Sequence, residues 1–222
     1  MPELVRYAQA GDVAVIVMDD GKANALQPAM SEGLDAALDR AAVEAKAVVI
    51  AGRPGVFCGG YDLRIIRGED AALRTRMRDL GTALMLRFYL SPQPLVIACT
   101  GHGVAAGAIL LMAADYRIGA SGDFKFGLNE TAIGLALPQV ALELARDRLE
   151  ERKLQQATVM ATLYDPAGAV AVGYLDETVE PGVLMERAVA KAAELAKLDA
   201  AAYAETKRRL RQATVDRIVA AG

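Results

Sequence analysis

The sequence predicts a layered α/β domain, with a parallel-type sheet and crossover helices followed by a helical C-terminal layer. Three observations carry that prediction. Short apolar runs alternate with segments of helical spacing over the first two thirds of the chain. The residues available for a core are small or branched, because the chain is 54% hydrophobic but only 5% aromatic and has no Trp. Beyond Pro138 the pattern turns mostly helical. At 222 residues the chain is long enough for one well-formed core.

The elements follow in order. Val13-Ala14-Val15-Ile16-Val17-Met18 is an apolar run of strand length, and a turn at Ala10-Gly11-Asp12 pairs it with a partner over 4–8. Residues 27–42 place Met30, Leu34, Ala37, Leu38 and Ala41 at helical spacing, with Pro28 suited to a first turn. Ala47-Val48-Val49-Ile50-Ala51 is a second core strand, and the Gly- and Pro-rich stretch 52–60 reads as a loop. A long helix spans 71–90 and is stopped by Ser91-Pro92 and Pro94. Leu95-Val96-Ile97-Ala98-Cys99 is a third core strand. The Gly/Ala-rich segment 103–114 is expected to turn into a buried helix, and 116–118 and 123–126 read as further short strands. One domain over 1–195 is expected, with a short C-terminal helical segment over 196–222. In that segment Lys207, Arg208, Arg209 and Arg211 read as a solvated face.

Composition excludes several functions. With 25 basic and 28 acidic residues, the net charge of −3 offers no basic excess for nucleic acid, although single cations could still serve a phosphorylated ligand. Cys58 and Cys99 show no CxxC or Cys/His spacing, so no metal site is expected. The start MPELVRYAQ lacks a basic-then-apolar signal pattern. No apolar run approaches the roughly 18 residues that a membrane span needs. The expectation is a cytoplasmic protein without a membrane partner.

Candidate chemistry sits in three segments. Ligands of open α/β sheets gather at the carboxyl ends of strands, and two Gly-rich segments fall there. One is Phe57-Cys58-Gly59-Gly60-Tyr61-Asp62-Leu63; the other is Gly101-His102-Gly103-Val104-Ala105-Ala106-Gly107. Small residues let backbone approach a ligand, and helix-initial N–H groups have no intrahelical acceptor. Two such groups aimed at one point form an oxyanion hole. Taken alone, each segment is equally what a tight turn or close packing demands. The third segment is Phe126-Gly127-Leu128-Asn129-Glu130-Thr131-Ala132-Ile133-Gly134. Its Glu130 is either a loop carboxylate or helix cap, or a general base whose pKa is raised by burial.

These segments, in this order, resemble the crotonase superfamily, also called the enoyl-CoA hydratase/isomerase family. The resemblance runs over about 13–181. It includes Lys22-Ala23-Asn24-Ala25-Leu26, similar to the family's Asn-Ala-Leu loop, and 57–63, similar to its Phe-x-Ala-Gly-Ala-Asp-Leu. It also includes 101–115, through the Asp that ends a helix, and 167–179, where a helix leads into a strand. The resemblance implies a crotonase-like spiral, shared with the Clp proteases, though no Ser/His/Asp arrangement stands in the loops. It implies an acyl-CoA thioester as substrate, with the N–H groups of Tyr61 and Ala106 as the oxyanion donors and Glu130 as proton shuttle. Lys22, Ala23 and Ala25 would line the CoA channel beside Gly60, and Asp62, Leu63 and Arg64 would flank its adenine and pantetheine end. Lys22 and Arg64 face CoA phosphates on this reading and are plain surface charge on the other. No metal or redox cofactor is implied, since CoA arrives with the substrate. A homotrimer or dimer of trimers is implied, although the family's further C-terminal helices are shortened here.

One departure bears on the reaction. Hydratases of this family resemble one another in using two glutamates, and the position of the first is Ile109 here. A single carboxylate suits a Δ3–Δ2 double-bond shift, which needs no bound water. Pro138, eight residues after Glu130, is also similar to the single-glutamate isomerases. Isomerisation is therefore favoured, with hydration by Glu130 alone or a weakly active acyl-CoA binding module as alternatives. A His102–Cys58 pair for covalent thioester hydrolysis is weighed against a packed histidine and a buried small thiol. Asp115 reads as structural.

Overall fold

The computed structural model describes residues 4–220. In chain order it contains β1 (Val5–Ala10), β2 (Val13–Met18), α1 (Pro28–Glu44), β3 (Ala47–Ala51), β4 (Gly55–Cys58), α2 (Leu63–Ile66), α3 (Ala71–Leu90) and β5 (Leu95–Cys99). These are followed by β6 (Gly101–Val104), α4 (Ala106–Ala113), β7 (Tyr116–Ala120), β8 (Phe126–Gly127), α5 (Gln139–Arg148), α6 (Leu154–Ala157) and α7 (Pro166–Val172). The chain then forms β9 (Glu177–Val179), α8 (Leu184–Leu195) and α9 (Ala200–Ala220).

The main sheet has the order β1-β2-β3-β5-β7-β9. Only β1 and β2 are antiparallel; the other pairs are parallel. Both faces of the parallel part are covered, which is why its strands read as unbroken apolar runs. Val13, Val49, Val96 and Ile118 meet Leu184, Ala188 and Ala192 of α8 on one face. Ile16, Ile50 and Ile97 face the larger cluster on the other, with α1, α3 and α4.

A second sheet of three short parallel strands, β4-β6-β8, departs from the expected loops. Residues 52–60 were expected as a loop but hold β4, and the 101–104 stretch forms β6 before the buried helix begins. The strand expected over 123–126 shrinks to Phe126–Gly127. Glycine permits this crowding. A Cβ on Gly101 would lie 2.0 Å from the carbonyl carbon of Gly55, and one on Gly52 would lie 2.4 Å from the Val56 carbonyl oxygen. Strands of two to four residues, partly glycine, carry no periodicity that a sequence can display.

The terminal helix corrects another expectation. Lys207 and Arg211 are not on a solvated face: their Nζ and guanidinium lie 2.7 and 3.0 Å from the Asp115 carboxylate, and both side chains are buried. Arg208 and Arg209 do face solvent, and both pair with Glu205. Asp115 also accepts the Leu95 N–H at 2.8 Å, so one carboxylate ties the start of β5 to α9. Replacing it by Ala leaves two buried cations without their counter-ion. Asp115→Ala is expected to cost about 3–5 kcal/mol, measured by urea unfolding.

Candidate active site

The three parallel strands of the small sheet end on the same side, and their carboxyl ends deliver the three segments. β4 runs into Gly59-Gly60-Tyr61, β6 into Ala105-Ala106 and β8 into Leu128-Asn129-Glu130. The segments thus leave the short strands, not β3 and β5 directly as expected, because the chain crosses from the main sheet into the small one first.

Glycine sets how closely these segments approach. Gly60 has φ 106°, a conformation that L side chains rarely adopt, and a Cβ there would lie 2.9 Å from the Ala105 Cβ and 3.7 Å from the Ala106 nitrogen. A Cβ on Gly107 would lie 2.2 Å from the Cys58 carbonyl oxygen, so the start of α4 is pressed against the end of β4. Ala105 itself has φ 53°, an unusual backbone for alanine. Ala106 opens α4, so its N–H has no intrahelical acceptor. Tyr61 follows Gly60 directly and its ring is half-buried.

The 20–26 loop is laced to this edge. Gly59 N–H donates to the Ala23 carbonyl at 2.9 Å, and Leu26 N–H donates to the Gly60 carbonyl at 2.8 Å. These bonds, with a bridge between Leu26 and Tyr61, hold the loop that carries Ala23 and Ala25 against 59–61. The Lys22 side chain is exposed, while its carbonyl accepts the Arg53 Nε–H at 2.7 Å. Asp62 caps α2 by accepting the Arg64 N–H at 2.9 Å. The Arg64 guanidinium forks onto the same carboxylate at 3.1 and 2.6 Å. That guanidinium holds the Asp62 pKa below the usual carboxylate range. Leu63 is exposed.

Glu130 is buried, and its Oε2 has no hydrogen-bond partner among the described residues. Burial raises its pKa, and only the backbone N–H groups of Glu130 and Asn129 work the other way. Ile109, one turn along α4 from Ala106, is fully buried within the apolar core. Burial thus favours the neutral form of this carboxyl group. Among the described residues no group of three His, Cys, Asp or Glu side chains could hold a metal ion.

The Cys58–His102 alternative finds no geometry. His102 Nδ1 accepts the Lys125 N–H at 3.0 Å, and its ring stands edge-on to Phe124 at 5.4 Å. The Cys58 thiol is buried and its pKa is pushed up to about 12, so it remains a thiol near neutrality.

Asn24 matters more than its sequence context suggested. It is fully buried with φ 50°, and its amide donates to the carbonyls of Met18 and Phe57, both at 3.1 Å. Its Oδ1 accepts the Asp20 N–H at 3.0 Å, while Asp20 accepts the N–H groups of Lys22, Asn24 and Ala25. This knot fixes the strand that leads into Gly59 and Gly60. The signal in the sequence was an Asn four residues after Asp20, a spacing that allows such a side-chain-to-backbone turn.

Comparison with known proteins agrees with the geometry. The chain is 30% identical over 168 residues to the rat mitochondrial enoyl-CoA delta isomerase 1; the match covers 75% of this chain and 58% of that protein. The chain therefore spans just under three fifths of the mammalian isomerases it matches. A probable enoyl-CoA hydratase from Rhodobacter capsulatus is 34% identical over 208 residues, covering 92% of this chain and 79% of that protein. Among solved structures, the apo enoyl-CoA isomerase of Mycobacterium tuberculosis superposes with a TM-score of 0.94 at 41% identity, over 99% of this chain and 96% of that chain. The profile of the enoyl-CoA hydratase/isomerase family matches residues 8–221, and with the crotonase fold in place around the three converging segments, the chain belongs to that family.

Proposed function

We propose that the protein is an acyl-CoA enzyme that isomerises a 3-enoyl thioester to the 2-enoyl form, with Glu130 as its single proton shuttle. The observation that carries this reading is a buried Glu130 carboxyl, whose Oε2 has no hydrogen-bond partner among the described residues, together with a fully buried Ile109 at the position that matches the hydratases' first glutamate. The thioester carbonyl sits between the N–H groups of Tyr61 and Ala106. Glu130 takes the proton from the α-carbon, and the electron pair moves into the conjugated system to give a dienolate whose oxygen the two donors hold. The Glu130 carboxylic acid then returns the proton to the γ-carbon, leaving the double bond between the α- and β-carbons. Each donor contributes about 3 kcal/mol to lowering the barrier. A pKa raised by burial suits both halves, since the carboxylate accepts the proton and the acid later gives it back.

Hydration is the second reading, favoured by the name of the Rhodobacter relative. It asks one carboxylate to orient and deprotonate a water beside an apolar wall, and Ile109 supplies no ligand for that water. A weakly active acyl-CoA binding module is the third. The CoA moiety runs past Lys22, Ala23 and Ala25 on one side and past Gly60, Asp62, Leu63 and Arg64 on the other. With Arg64 already forked onto Asp62, Lys22 is the freer of the two cations to meet a CoA phosphate. Trimers or dimers of trimers, and a cytoplasmic location, belong to the same proposal.

The test is product analysis in deuterated water. Conversion of trans-3-enoyl-CoA to the 2-enoyl compound, without 3-hydroxyacyl product, is expected. Rapid 3-hydroxyacyl-CoA formation from trans-2-enoyl-CoA would sink the isomerase reading in favour of hydration. Binding of CoA esters without turnover of either would favour the binding module.

A further inference from the structure

Gly81 stands in the interior of the twenty-residue helix α3, where glycine is less favourable than any residue but proline. It is buried, and what it makes room for is the Tyr61 ring. A Cβ on Gly81 would lie 2.2 Å from the Tyr61 Oη, 2.6 Å from Cε1 and 2.8 Å from Cζ. The backbone of Tyr61 therefore sits at the edge of the site while its phenol tip is seated in a notch of α3. Burial raises the phenol pKa, the charges of Cys58 and then Glu130 add to that rise, and Arg78 of α3 opposes it.

We propose that the Tyr61 ring, held in the Gly81 notch, is the end wall of the acyl compartment and limits the enzyme to short acyl chains. This rests on the reading above, in which the thioester carbonyl sits at the Tyr61 and Ala106 N–H groups. A chain that enters past that carbonyl and Glu130 meets a rigid aromatic ring backed by helix backbone. Gly81 and Tyr61 act as a matched pair. A smaller side chain at 61 opens the volume under α3, whereas a larger one at 81 drives the ring toward Glu130.

The test uses equilibrium binding of saturated butyryl-, hexanoyl-, octanoyl- and dodecanoyl-CoA by calorimetry, which needs no turnover. In an open apolar channel each further buried methylene tightens binding by about fourfold. The native protein is expected to gain up to hexanoyl-CoA and then lose affinity. Tyr61→Ala, which keeps a backbone N–H at that position, is expected to continue gaining through dodecanoyl-CoA. Gly81→Ala is expected to move the break to shorter chains, and it tests the proposal from the other side should Tyr61→Ala fail to fold. A native protein that binds dodecanoyl-CoA tightest, or variants whose length profiles parallel the native one, would overturn the wall. In that case the site reading stands, because the thioesters still bind. No binding of any chain length would overturn both.

Discussion

Glu130→Gln is expected to lower turnover by about three orders of magnitude while leaving acyl-CoA affinity close to that of the native protein. The amide keeps the shape of the side chain but cannot accept the α-proton. Because burial raises the Glu130 pKa, the acid limb of the native kcat/KM profile is expected above the ordinary carboxylate range, and the residual activity of the variant should lack that limb. Stability carries the same signature with a definite sign. An acid whose pKa is higher in the folded state binds more protons there than in the unfolded chain, so stability falls as pH rises from the unfolded pKa through the folded one. Near neutrality the native protein therefore bears the cost of a buried charge held only by backbone N–H groups, and Glu130→Gln should melt at a higher temperature. The gap should close on acidification, when the native carboxyl is neutral in both states. A variant that keeps native turnover removes Glu130 from the chemistry altogether.

Gly107→Ala is the second large effect. Its Cβ would lie 2.2 Å from the Cys58 carbonyl oxygen, 2.9 Å from that carbonyl carbon and 3.0 Å from the Cys58 Cβ. All three atoms belong to a fully buried residue at the end of β4, so no flexible tip can swing aside. Alanine improves helix propensity by up to ~1 kcal/mol, but overpacking costs about 1–3 kcal/mol and displaces the start of α4. In the proposed mechanism, the Ala106 N–H then loses its common focus with the Tyr61 N–H. Loss of one aligned donor lowers kcat by about 10²–10³. Gly182→Ala serves as the control, since a Cβ there meets nothing within 4 Å and kcat should be unchanged. Steady-state kinetics with thermal melts on both variants separates a displaced donor from simple unfolding. A folded Gly107→Ala with native kcat would remove the two-donor focus from the mechanism.

Much of this was legible in the sequence, for physical reasons that differ by element. Strands buried on both faces announce themselves, and β3 and β5 match the apolar runs 47–51 and 95–99 to the residue. Helix α3 was bounded by Ser91-Pro92, and it too falls where its pattern ends. The small sheet was invisible, because β4, β6 and β8 are only two to four residues long and partly glycine, too short to show a side-chain pattern. Motif resemblance singled out Glu130, Tyr61 and Ala106 as candidates, and the structure brings their segments to one edge. Burial at a distance could not be read. Lys207 and Arg211 look like any basic pair on a helix until Asp115, some 90 residues earlier, is seen beneath them. Gly81 was read only as part of a helix, since nothing local says that a tyrosine twenty residues upstream needs the space.

The Asp115–Lys207 pair also has a timetable. The two residues are 92 apart, and ribosomes add about 5–20 residues per second, so the carboxylate precedes its cation by on the order of ten seconds. β5 and α4 precede Asp115 in the chain and Glu130 follows it closely, so the residues of all three site segments are made well before α9. Until α9 is made, neither of the two cations that ion-pair with this carboxylate exists, and only the Arg148 guanidinium, which donates to the neighbouring Ala114 carbonyl, is at hand. The last helix to be synthesised supplies both ion-pair partners, so a chain still on the ribosome at Ala200 carries Asp115 without Lys207 and Arg211.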